Sequence, residues 1–102
     1  MIEVRLDFSY CNNIPVLLRV SSPGNLSLIP LDMVAFIWVQ DSDKLTISMM
    51  NGDQCIVEIN HNTSKVFFLN GVEVEFLTLC KEVLQKVEAF KAFQLVPPRY
   101  HR

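Results

Sequence analysis

The sequence predicts an α+β domain: a six- or seven-stranded, mostly antiparallel meander, forming a curved sheet or open barrel, with one C-terminal amphipathic helix packed on it. Three observations carry this expectation. Apolar and polar residues alternate in short runs from Ile2 onward, and Asn51-Gly52 and Asn70-Gly71 each separate two such runs. From Phe76 the apolar spacing then lengthens from two residues to three and four.

Ile2, Val4, Leu6 and Phe8 alternate with Glu3, Arg5, Asp7 and Ser9, the signature of a half-buried strand. Cys11-Asn12-Asn13 breaks that run, and residues 15–20 form the next. Ser21-Ser22-Pro23-Gly24-Asn25 is a turn, because Pro fixes one φ and Gly accepts a positive one. Leu26 to Pro30 reads as an edge strand, since Pro30 has no N–H to give to a ladder. Residues 33–40 are apolar on both sides, with Phe36 and Trp38 opposite Ile37 and Val39, which predicts a central strand or one covered on both faces. After the polar turn 41–44, Leu45, Ile47 and Met49 alternate with Thr46, Ser48 and Met50. Asn51-Gly52 accepts the two positive φ values of a type I′ turn and leads into residues 54–59, where Cys55, Val57 and Ile59 share a face. Beyond the turn at 61–64, residues 65–69 and 72–76 flank Asn70-Gly71 as a second hairpin.

Phe76, Cys80, Val83, Leu84, Val87 and Phe90 then recur opposite Thr78, Lys81, Glu82, Gln85, Lys86 and Lys91. This predicts a helix ending before Pro97-Pro98, with no evident N-cap and with its lysines solvated. Residues 1–96 read as one domain and 97–102 as a short basic tail.

The chain of 102 residues is half apolar and one-fifth charged, the composition of one folded domain. Trp38, Phe67, Phe68, Met49 and Met50 exceed what one face of a small sheet holds. Closure into a barrel, or an apolar patch left for a partner or a second copy, would account for them. The apolar run at residues 34–39, even extended by Met33, is far short of the roughly 20 needed to span a membrane. With no signal-like start and an odd set of cysteines (Cys11, Cys55, Cys80) lacking a Cys-x-x-Cys pair, the expectation is a cytoplasmic protein with reduced thiols and no membrane partner. Asn25-Leu26-Ser27 and Asn62-Thr63-Ser64 match a glycosylation pattern but read as turn residues.

Catalytic chemistry finds little purchase. A nucleophile needs a base and the base an orienting group, yet His61 sits in a polar turn and His101 in the tail. Cys55 and Cys80 fall on apolar faces and read as inert, with Cys11 the exposed thiol. There is no zinc spacing, no calcium loop and no phosphate cradle, as Gly24, Gly52 and Gly71 lie in separate turns. The expectation is therefore no enzyme, no metal and no cofactor.

Charge is more informative. Residues 1–75 carry four basic and nine acidic groups, and residues 76–102 five basic and two acidic. Glu3, Asp7, Glu58, Glu73 and Glu75 occupy outward strand positions, and Asp41, Asp43 and Asp53 sit in turns. If the strands are neighbours, their polar face is negative and suits a cationic partner. The candidate partner-binding residues are Asp41, Asp43, Glu58, Glu73 and Glu75, and the partner they imply is a basic protein. In its most concrete form the chain is an inhibitor or immunity-type protein covering the active site of a toxin such as a nuclease. The net charge of −2 argues against direct nucleic-acid binding. The alternatives are a regulatory sheet module binding a small ligand or nucleic acid through Trp38, Phe67 and Phe68 or through the basic C-terminal end, and a homodimeric subunit.

Overall fold

The structure, a computed structural model, describes residues 1–50 and 56–95. The expected turn at Asn51-Gly52, Asp53, Cys55 and the basic tail lie outside the described residues. The strands are β1 (Ile2–Cys11), β2 (Ile14–Ser22), β3 (Asn25–Pro30), β4 (Val34–Gln40), β5 (Lys44–Met49), β6 (Ile56–Asn60), β7 (Lys65–Leu69) and β8 (Val72–Val74). A single 3₁₀ turn, Leu31–Met33, precedes β4, and the helix α1 spans Phe76–Leu95.

The α+β class is as expected, but the described residues hold eight strands, not six or seven, and no closed barrel. They form a five-stranded sheet in the order β3-β2-β1-β7-β8 and a three-stranded sheet in the order β4-β5-β6. Pro30 ends the β3 ladder, and the 3₁₀ turn with buried Leu31 redirects the chain into the second sheet. The turn at 61–64 brings it back, with Lys65 N–H donating to the Asn62 carbonyl and Ile2 N–H to that of Ser64. The larger sheet is not a pure meander, since β7 pairs with β1 in parallel from Ile2 opposite Lys65 to Leu6 opposite Leu69.

Turn chemistry explains two of the three tight hairpins of the larger sheet. Asn12 and Asn13, which the sequence presents as a break, both take positive φ between Cys11 and Ile14 and so close β1 onto β2. Asn70 and Gly71 do the same between Leu69 and Val72. Asn70 also ties the turn to β1, since its Oδ1 accepts the Phe8 N–H at 2.8 Å while its own N–H donates to the Leu6 carbonyl at 2.8 Å. It thereby extends the parallel pairing past the end of β7. Asn70→Gly keeps the turn but strands the Phe8 N–H, so a loss of about 1–2 kcal/mol is expected in urea unfolding. Gly71→Ala meets no atom within 4 Å of its new Cβ, so its penalty at φ +84° is backbone strain alone, about 1–2 kcal/mol.

One core joins both sheets and the helix. Leu6, Leu18 and Ile29 from the larger sheet, Leu45 and Ile47 from the smaller, and Leu79 and Val83 from α1 are all essentially solvent-free within it. The helix packs over β2 and β7 and reaches β4, burying Phe76, Cys80, Val83, Val87 and Phe90 of the expected stripe together with Leu79, while Leu84 is half-buried. Its lysines are not merely solvated. Lys91 Nζ donates to the Ala35 carbonyl at 3.1 Å, at the irregularity in β4, and Lys86 lies over the Tyr10 ring.

Two further expectations need correction. β4 is neither central nor doubly covered: it is an edge strand, and Phe36 and Trp38 project from its open face. The outward face of the larger sheet is not uniformly acidic, because register sets cations and apolar groups among its carboxylates. Arg5 bonds Glu3 at 2.7 Å and lies 4.3 Å from the Phe68 ring centre, Arg19 sits opposite Asp7, and Phe68 sits opposite Glu73.

Candidate functional site

Two of the candidate carboxylates, Glu73 and Glu75, line a groove where the two sheets and the start of α1 meet. Its volume is about 400 Å³, and its walls include Ser42, His61, Lys65, Glu73, Glu75 and Phe76. Each wall has a local cause. The β4–β5 turn places Asp41 and Ser42 at φ +52° and +59°, with the Asp43 N–H donating to the Gln40 carbonyl at 3.1 Å. A left-handed serine costs about 1–2 kcal/mol relative to glycine. The turn is fastened from the other side, because the His61 N–H donates to the Asp43 carbonyl at 2.8 Å.

His61 is exposed in the connection from β6 to β7, as the sequence leads one to expect. One face of its ring is stacked on Phe76, with centroids 5.2 Å apart and planes 13° apart, while Phe67 closes a three-ring wall at 5.2 Å from Phe76. Phe76 and Phe67 are buried, so the wall is rigid at its base and open at the His61 rim. Glu73 in β8 and Glu75 also line the groove, and the Glu75 carbonyl accepts the Leu79 N–H at 2.9 Å where α1 begins. Lys65 also lines the groove, but its Nζ is engaged with the Asn60 carbonyl at 3.0 Å.

Of the five candidate residues, Glu73 and Glu75 therefore line one groove, and Asp41 and Asp43 flank its lining Ser42. Glu58 does not join them. It lies on the outward face of the smaller sheet opposite Thr46, with Lys44 Nζ 4.0 Å away. Nor do Trp38, Phe67 and Phe68 form one surface: Trp38 is exposed on the smaller sheet, Phe67 is in the core, and Phe68 lies under Arg5 on the larger sheet. Sequence reasoning misses the aromatic wall, since His61, Phe67 and Phe76 belong to three different segments and no spacing joins them.

Among the described residues no group of three or more His, Cys, Asp or Glu side chains is placed to hold a metal ion. No helix among them is long and apolar enough to cross a membrane. Cys80 is buried, and burial pushes its thiol up to about 11, partly opposed by a hydrogen bond to its own backbone, so it is protonated near neutrality. Cys11 is exposed. The groove thus brings two exposed glutamates, Glu73 and Glu75, into one lining with His61, Phe67 and Phe76. No family model matches the chain, and neither the curated proteins nor the solved structures give a match.

Proposed function

We propose that this chain is a non-enzymatic protein-binding protein that captures a basic partner in the groove between its two sheets. The observation that supports this most is that Glu73 and Glu75 line one groove with His61, Phe67 and Phe76, and that Ser42, between the exposed Asp41 and Asp43, lines it too. An arginine or lysine side chain entering there stacks on the ring wall and meets the carboxylates, as a central anchor does in a tight interface. The surrounding acidic residues steer a cationic surface toward the groove before contact. The most concrete form of this reading is an inhibitor or immunity-type protein, whose carboxylates occupy the basic active site of a partner such as a toxin nuclease. Glu58 has no part in this version of the surface.

The test is capture from the native host at low salt, comparing the wild-type chain with Glu73→Lys/Glu75→Lys. Both positions are exposed, so the variant is expected to fold. The expected result is one stoichiometric basic protein on the wild type, released by rising salt and lost from the variant. Its association rate should fall by roughly 10-fold or more in the variant and lose most of its salt dependence. Equal retention of that protein by both chains, with the same salt dependence, rules the groove out.

A further inference from the structure

The outward face of the smaller sheet has a different character from the groove. Strand register sets Phe36, Ser48 and Ile56 in one row, Trp38, Thr46 and Glu58 in the next, and Gln40, Lys44 and Asn60 in the third. Phe36 is 56% exposed, Ile56 50% and Trp38 40%, large fractions for apolar groups on a sheet. The Phe36 and Trp38 rings are already stacked, with centroids 5.1 Å apart, so little rotamer freedom is lost when they are covered. Thr46, beneath Trp38 and Glu58 on the central strand, is 2% exposed, and the face is thus closed to water at its middle.

Its three rows carry one lysine and one carboxylate, Lys44 and Glu58, and so no net charge. A strongly basic or acidic partner gains nothing from such a face. A second copy of the chain finds its own charges complementary there, because Lys44 of one copy can face Glu58 of the other across a two-fold axis.

We infer that this face is a self-association surface, on which two copies stack sheet against sheet about a two-fold axis. The rings of Phe36 and Trp38 pack against their counterparts, and Lys44 of each copy adds Glu58 of the other to the one it already faces. Three strands of five to seven residues present a face of only about 20 by 15 Å, small against a standard interface. The dimer is accordingly a weak one, exchanging at roughly micromolar to millimolar concentration.

Trp38 is the only tryptophan, so its emission reports this face directly. Sedimentation equilibrium and Trp38 fluorescence, run from roughly 1 μM to 1 mM, should change together. The mass should rise from 11.7 kDa toward twice that value while the emission moves to the blue and becomes harder to quench with acrylamide. Phe36→Ser should raise the dissociation constant at least roughly 10-fold, with the far-ultraviolet dichroism unchanged. Lys44→Glu and Glu58→Lys should each weaken self-association, whereas mixing the two variants should restore it as a heterodimer. A chain that stays at 11.7 kDa throughout overturns the inference, as does a dimer that forms with unchanged Trp38 emission or survives Phe36→Ser at the same constant. Glu73→Lys/Glu75→Lys should leave self-association unaltered, which separates this surface from the groove.

Discussion

Leu6→Ala is expected to destabilise the protein by about 3–5 kcal/mol, a large part of the total for a domain of this size. Leu6 is solvent-free and lies in the middle strand of the larger sheet, opposite Val20 of β2 on one side and Leu69 of β7 on the other. The cavity left by the missing side chain cannot collapse, because both flanking strands are held by ladder hydrogen bonds and by the Asn70 N–H on the Leu6 carbonyl. The melting temperature should fall by roughly 15 °C or more. Leu28→Ala is the control: Leu28 is 57% exposed on edge strand β3, and its loss should stay within about 0.5 kcal/mol. If the two substitutions cost the same in urea unfolding, the parallel β1–β7 seam is not where the core is anchored.

That seam is also the part of the fold least legible in the sequence. The alternation from Ile2 to Ser9, the Asn70-Gly71 turn and the helical spacing from Phe76 are local signals, and each points to the right element. The pairing of β1 with β7 joins residues more than sixty positions apart, and nothing in either strand's pattern names its neighbour. The split into two sheets is hidden for the same reason. Residues 33–40 are apolar on both sides because one face packs on the core and the other stays open, not because both are covered. Asn12-Asn13 is readable in principle, since asparagine accepts the positive φ that the turn requires; without a glycine it looks like an interruption.

The candidate site is legible in its charges and illegible in its shape. Glu73, Glu75, Asp41 and Asp43 are visible as an acidic excess, but Glu58 looks equivalent to them in sequence and lies on another face. The difference is a matter of sheet assignment, which alternation does not reveal. The wall of His61, Phe67 and Phe76 depends on the turn that returns the chain from β6 to β7, and so emerges only once the two sheets are placed together.

Cys80 supplies an alkaline limit to stability that can be measured without knowing the partner. Its thiol has an ordinary value of 9.0 and is raised to about 11 by burial against the core. Between those two values the unfolded chain gives up this proton and the folded chain keeps it. The unfolded state then binds fewer protons, so the free energy of unfolding must fall as pH rises from 9.0 to about 11, and this group adds no slope outside that window. The loss is about 1–3 kcal/mol. Tyrosine and lysine titrate over the same range, so the readout is the difference between the wild type and Cys80→Ala, whose stability should decline less steeply above pH 9. Equal slopes for the two chains would show that the thiol is not desolvated. The same burial predicts that in a Cys55→Ser background a disulfide reagent modifies Cys11 at once near pH 8, and reaches Cys80 only as fast as the protein unfolds.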